Sequence, residues 1–390
     1  MSSEFIRTVA DWSERRLLRT FQNLVRNKTS CGIFFAPVPD NARQIVNSFK
    51  GVGINLDCIC VLSNEDKTFF QPLEGENLIA LEQFPSLLHK PKYILVLERY
   101  FGTAFIDYFG RHGTNIFFMP SVDDAEAQYE FYMKHLPELY EVHEMLADDE
   151  SKRIFRAAIT GRITRLMQDF IYTDEHEYFL NGFFPKKGDI AIEGGPFDGE
   201  TSVDFVKQGA KVYAFEMDAA NYKNCLAPAK KFGFTIENLG LSNQEKEAIY
   251  SVRGVGSRKL TDKAAKPGSG ESIARFIDID TYVDRKNLPH VDYIKLDIEG
   301  SELETLRGAT KTITRWKPKM AICVYHKPED LFTLPLYIKH LRSDYEFQFR
   351  HHLCDRKKEI HDNIWLWGAL KYFDVSYRTP SEYDMILYCK

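Results

Sequence analysis

GDIAIEGGPFDGETSVDFVKQGAKVYAFEMDAANY, residues 188–222, decides the fold. DIAIE is a short apolar run of the kind that forms a strand buried on both faces. GGPFDGE is a glycine-rich turn, TSVDFVKQ opens a helix, and VYAFE is a second strand ending on the acidic Glu216. Glu216 follows Glu193 by 23 residues. That is close to the roughly 20-residue interval at which an acid grips ribose hydroxyls in a nucleotide-binding βαβ unit.

The glycine spacing discriminates between ligands. The pattern is E-x-G-x-x-x-G at Glu193, Gly195 and Gly199, without the G-x-G-x-x-G that brings backbone N–H groups against a pyrophosphate. S-adenosyl-L-methionine (SAM) has no phosphate, and its ammonium and sulfonium groups favour nearby carboxylates, so the turn suits SAM better than NAD. The expected cofactor-binding set is Glu193, Gly194, Gly195, Asp198, Gly199, Glu216 and Met217. Gly195 and Gly199 are expected to leave room for a ligand lying against the turn. Asp198 either reaches the cofactor's amino group or caps the helix at Glu200.

Downstream, TIENLGLSN (235–243) reads as a third strand and turn. VDYIKLDIEGSELETLRGA carries a fourth strand into a helix, with Asp297 and Glu299 at the turn. KMAICVYHK (319–327) is a fifth strand ending in Tyr325, His326 and Lys327. YEFQFRHH (345–352) and YDMILYCK (383–390) close the series. Open α/β sheets bind ligands at the carboxyl ends of their strands, which makes Asp297, Glu299 and His326 the candidate catalytic residues. A histidine's ordinary pKa suits a base at neutral pH. Asp297 and Glu299 also make good first-turn helix acids. Two carboxylates and a histidine can hold a divalent ion, but nothing requires one and no metal is expected. Residues 251–275 are glycine-rich, with six basic and two acidic residues, and read as a surface loop. Trp365 and Trp367 read as core aromatics able to stack on a sugar.

Length and composition bound the rest. The 390 residues suit two domains of roughly 150 residues each. Hydrophobic residues at 44% and charged ones at 27% exclude wholesale disorder. A net charge of −5 argues against nucleic acid as a partner. Seven cysteines without a C-x-x-C suit a reducing compartment. The chain has neither a membrane-length apolar run nor a signal-peptide core, and a cytoplasmic protein is expected.

Before residue 145 the runs IFFAPV, LDCICVL, YILVLE and NIFFMP alternate with stretches suited to helices at 40–49, 79–89 and 101–112. This predicts a parallel sheet with helices on both faces. The turn after the first run, Ala36 to Asn41, holds two prolines and no glycine, so this domain is expected to bind no cofactor. An amphipathic basic helix over 4–27 is expected to pack on its own domain. The predicted boundaries are 1–145, a helical connector over 146–184, and 185–390.

The blocks DIAIEGGPFDGETSVDF, VYAFEMDAANY, YIKLDIEGSELETLRGA and PKMAICVYHKPEDLFTLPLYI resemble FkbM-family SAM-dependent methyltransferases over about residues 150–390. DESKRIFRAAITGRIT with EYFLNGFF is similar to the connector in members carrying an extra N-terminal Rossmann-like domain. Relative to the family, Glu193 replaces the more usual Asp, Pro196 a small residue and Met217 a Pro. The resemblance implies an α/β protein. Its C-terminal domain would be of class I methyltransferase type, a Rossmann-like seven-stranded sheet with a terminal antiparallel hairpin. It also implies methyl transfer to a hydroxyl of a sugar, glycan or related metabolite, with a small-molecule or glycan acceptor as partner. The first domain would position the acceptor or mediate homodimerisation. An NAD-dependent oxidoreductase and a non-catalytic SAM-binding protein are the alternatives.

Overall fold

The computed structural model describes residues 3–15, 24–35, 42–61, 73, 75–96, 108–118, 122–164, 167–253, 256–262, 266–355, 378–379 and 384–390. The turn Ala36–Asn41 and Trp365 and Trp367 lie outside them. The chain divides into two units. One comprises Met1–Tyr140, Arg153–Asp174 and His351–Tyr383, the other Glu141–Lys152, Glu175–Arg350 and Asp384–Lys390. The division is not contiguous because residues distant in sequence pack within the first unit. The helix Ser3–Arg15 buries Phe5 and Trp12, and Trp12 Nε1 donates to Thr160 Oγ1 at 2.7 Å. Arg162 donates to the Tyr132 hydroxyl, and the His351 ring packs against Phe170 and Tyr172.

Five strands build the first unit: Ser30–Phe34 (β1), Asn55–Val61 (β2), Leu78–Ala80 (β3), Tyr93–Val96 (β4) and Asn115–Phe118 (β5). They run parallel in the order β3-β2-β1-β4-β5. Alternation along β1 serves both faces: Cys31 and Ile33 pack with Val46 and Leu95, Phe34 with Phe84 and Phe109. The stretch 79–89, expected to be a helix, instead supplies β3 and a 3-10 helix at Leu81–Ser86, where Pro85 removes a backbone donor. The pair Cys354–Asp355 (β16) and Arg378–Thr379 (β17) is antiparallel.

In the second unit Ile190–Gly194 (β6), Lys211–Phe215 (β7), Thr235–Glu237 (β8), Tyr293–Leu296 (β13), Lys319–Cys323 (β14), Phe347–His351 (β15) and Met385–Cys389 (β18) form a seven-stranded sheet. Its order is β15-β18-β14-β13-β6-β7-β8, with β18 antiparallel to β14. Phe183, Phe205, Tyr293 and Tyr388 fill its core. Residues 240–277, partly expected to be loop, form a second sheet. Gly240–Leu241 (β9), Lys246–Ser251 (β10), Lys259–Thr261 (β11) and Glu271–Ile277 (β12) pair in the order β11-β10-β12-β9. Ala248 and Tyr250 face Ala274 and Phe276 on its buried side. The period-two alternation within ESIARFI outweighs the glycines that precede it.

Candidate functional site

The strand ends β6, β7, β13 and β14 bring the candidate residues together at one edge of the seven-stranded sheet. Gly195 has φ +76°, and a Cβ there would lie 1.8 Å from the Asp297 carbonyl oxygen. Gly199 has φ +88°, and its Cβ would meet Phe234 at 3.1 Å. These glycines, expected to leave room for a ligand, also have a structural role. Their missing side chains let the turn close on β13 and on Phe234, and so set the turn's shape.

Glu193, expected to touch the cofactor, is fully buried beneath that turn. It accepts a hydrogen bond from Ser202 Oγ and lies 3.6 Å from Lys295 Nζ. This acid and base meet because Lys295 and Glu193 are register partners on β13 and β6. Burial raises the Glu193 pKa, opposed by Lys295 and Ser202. Lys295 also donates to the Gly195 carbonyl at 2.7 Å. Glu193 therefore supports the turn from below. Asp198 Oδ1 accepts from Glu200 N at 3.1 Å, which is helix capping.

Glu216, just past β7, is 7% exposed, and its Oε1 accepts from Asp218 N at 2.8 Å. Burial pushes its pKa up to about 7, with backbone N–H groups of Asp218 and Phe197 partly opposing. Asn238 Nδ2 fixes the Glu216 and Met217 carbonyls at 2.8 and 3.3 Å. Met217 packs against the small sheet. Ser257 Oγ donates to Asp218 Oδ2 at 2.7 Å, tying the β10–β11 connection to this corner.

Asp297 is gripped by two phenols that sequence reasoning did not assign. The Tyr178 hydroxyl donates to Oδ2 at 3.1 Å and the Tyr325 hydroxyl to Oδ1 at 2.9 Å. Burial would raise the Asp297 pKa, but Lys295, His326 and the phenols lower it. Glu299, at φ +54°, keeps a carboxylate 34% exposed. His326 Nε2 lies 3.4 Å from Asp297 Oδ1 and 3.6 Å from Glu299 Oε2, while Nδ1 lies 2.8 Å from Glu302 Oε1. Neither ring nitrogen has an aligned hydrogen bond, and the contacts are ion pairs when the ring is protonated. Burial opposes the histidine's charge, yet Glu302, Asp297 and Glu299 together raise its pKa to about 9. This surround favours the protonated ring over the neutral imidazole that a base at neutral pH requires. Among the described residues no group of three or more His, Cys, Asp or Glu side chains could hold a metal ion.

Residues 195–351 match the family model described as the methyltransferase FkbM domain. The chain carries an FkbM methyltransferase domain. Strand order and the antiparallel β18 give it the class I methyltransferase fold. The crystal structure of methyltransferase FkbM from Methylobacillus flagellatus KT is similar in fold at TM-score 0.65 and 18% identity, over 99% of this chain and 98% of that one. An rRNA methylase from Streptococcus thermophilus (TM-score 0.30, 12% identity) covers 53% of this chain and 88% of its own. A Streptococcus mutans structure in complex with SAH (TM-score 0.28, 15% identity) covers 53% and 90%. No curated protein matches the chain. Among the described residues no helix is long and apolar enough to cross a membrane. The FkbM domain thus contains the glycine turn, Glu216 and the Asp297–Glu299–His326 cluster in one match.

Proposed function

We propose that the protein transfers the methyl group of S-adenosylmethionine to a hydroxyl of a sugar, glycan or related metabolite. The observation that carries this reading is Glu216. It is a buried carboxylate at a strand's carboxyl end with no cationic partner within 4 Å among the described residues, beside a turn closed by two left-handed glycines. Backbone N–H groups already donate to this carboxylate, and a ribose diol can add two hydroxyl donors to it. The residues present therefore fit the nucleoside of SAM. When bound, SAM supplies an electrophilic methyl group on a sulfonium with a good leaving group. Glu216 accepts the ribose hydroxyls, and the Gly195–Gly199 turn fixes the floor. Asp297, held by Tyr178 and Tyr325, faces the acceptor with Glu299 and His326. Their role is alignment and proton removal.

The first unit, in this reading, positions the acceptor or pairs two copies of the chain. The buried free thiols at Cys31, Cys58, Cys60, Cys225, Cys323 and Cys389 suit a cytoplasmic setting. Isothermal titration with SAM and separately with NADH tests the proposal. Saturable SAM binding, with SAH competing and NADH silent, is the expected result. Absence of SAM binding defeats it.

A further inference from the structure

The histidine cluster extends behind the face described so far. Glu302, on the helix Glu302–Arg307, is fully buried. Its Oε1 accepts from Ile298 N at 3.0 Å and lies 2.8 Å from His326 Nδ1, whereas Oε2 has no hydrogen-bond partner. Asp330 is buried beside it and accepts from Lys327 N at 2.8 Å. The groups facing His326 are thus Glu302 and Asp330 on the buried side, and Asp297 and Glu299 on the open side. All four are carboxyls. The 2.8 Å contact pairs the ring with a fully buried acid, a place where an unpaired charge is costly.

The open-side carboxylates differ. Asp297 takes two phenol hydrogen bonds and the His326 contact, all of which favour its charged form and make it a weak base. Glu299 faces only the imidazole ring at 3.6 Å and is the more exposed of the two. Its pKa is raised, by burial first and then by Asp297 and Glu302, against His326 and Arg258.

We propose that Glu302 is a positioning residue that holds His326 as a cation, and that Glu299 takes the proton of the acceptor hydroxyl. This rests on the reading of the site as one for methyl transfer to a hydroxyl. The acceptor's O–H proton passes to a Glu299 carboxylate oxygen while the hydroxyl oxygen forms a bond to the methyl carbon. The S–CH3 bond breaks with its electron pair going to sulfur. The products are a methyl ether, S-adenosylhomocysteine and a protonated Glu299 that releases its proton to water. His326 keeps its charge throughout and holds the two open carboxylates side by side.

The test begins without any acceptor. Histidine-labelled full-length protein is titrated by NMR, with His326→Asn identifying the signal. The expected midpoint for His326 lies more than one pH unit above that of an ordinary histidine, and Glu302→Gln moves it down by at least one unit. The Gln keeps an acceptor for Ile298 N, and SAM affinity by calorimetry stays within about twofold. A wild-type midpoint near that of an ordinary histidine overturns the proposal even if the variant fails to fold, as does a midpoint that Glu302→Gln leaves in place. Rates of labelled methyl transfer from SAM into metabolite extract supply the second arm. If Glu299 is the base, wild-type rates fall as His326 loses its proton, and Glu302→Gln brings that fall to lower pH. If His326 is the base, rates rise through the same titration and Glu302→Gln is faster at neutral pH. SAM binding with the wrong histidine titration sinks this proposal alone; absence of SAM binding sinks the methyl-transfer reading and leaves the titration result standing.

Discussion

Two sheets with parallel central strands stand in this chain, and their strand ends differ in kind. In the first unit β1 to β5 end on Phe34, Val61, Ala80, Val96 and Phe118. In the second, β6, β7, β13 and β14 lead into Gly194–Gly195, Glu216, Asp297 and Tyr325–His326. Both central strands, β1 and β6, neighbour two parallel partners. Sheet topology therefore does not by itself locate chemistry; the residue types at the carboxyl ends do. Of the acids at those ends, Glu193 faces a lysine, Asp297 two phenols and a histidine, and Glu216 backbone N–H groups.

The sharpest way to break this contrast is Gly195→Ala. A Cβ 1.8 Å from a backbone carbonyl cannot be relieved by rotating a side chain, and φ is +76° besides. Strain of about 1–3 kcal/mol for the backbone and as much again for the overlap puts the loss at roughly 4 kcal/mol. Thermal unfolding should fall steeply, and SAM binding should vanish in calorimetry. Next comes Lys295→Met, which strands Glu193 without its 3.6 Å partner. Removing one member of a buried pair should cost about 3 kcal/mol in urea unfolding. Adding Glu193→Gln should recover much of it. A Lys295→Met variant as stable as wild type would show that the acid is compensated by something else.

That pair also marks where sequence reading stops. The glycine turn, Glu216 and Asp297 were legible because each lies within a local strand–turn–helix pattern. Lys295 in YIKLD reads as one more alternating strand residue, and only the register of β13 on β6 places it against Glu193. Tyr178 reaches Asp297 across 119 residues from an irregular stretch with φ +62° of its own. No spacing announces such a contact. His326 is picked out by its strand-end position, but the carboxylates that raise its pKa are not. Its three nearest carboxylates, Glu302, Asp297 and Glu299, all follow β13, and the pairing of β14 with β13 is what sets them around the ring. The succession of seven strands was legible from element order; the small sheet was hidden by the glycines and basic residues of 251–275.

A middle-sized effect sharpens the role of Glu216. Its pKa near 7 means that it is largely protonated at pH 6 and ionised at pH 8. If ribose hydroxyls donate to the carboxylate, SAM affinity should rise about tenfold over that interval and level off above it. Glu216→Gln should remove the rise and weaken binding at pH 8 by about 10- to 100-fold, the range for a hydrogen bond to a charged group. Stability moves the other way. A carboxyl whose folded pKa is raised contributes stability below its unfolded value that is lost as pH climbs through 7. The same variant should therefore unfold at a higher temperature than wild type at pH 8. A variant that loses both affinity and stability would mark Glu216 as structural.

The smallest effect lies in the first unit at Gly32, which is the middle residue of β1, whereas Gly194 ends β6 and Gly195 follows it. A Cβ on Gly32 would approach Ile94 Cδ1 at 2.8 Å and Cys58 Sγ at 3.0 Å, with the Cys58 carbonyl at 3.3 Å. The two nearest obstacles are ends of side chains, which can turn aside within a packed apolar layer. Its φ also lies outside the left-handed range. Overpacking by one methyl group should cost on the order of 1 kcal/mol, partly offset by the lower chain entropy of alanine in the unfolded state. Gly32→Ala should lower the unfolding temperature slightly and leave SAM affinity unchanged. The two substitutions are chemically identical. If Gly32→Ala abolished SAM binding as Gly195→Ala should, the cofactor chemistry would not be confined to the second sheet. If it does not, the difference is one of place: side-chain ends yield to an added methyl, and a backbone carbonyl at a functional turn does not.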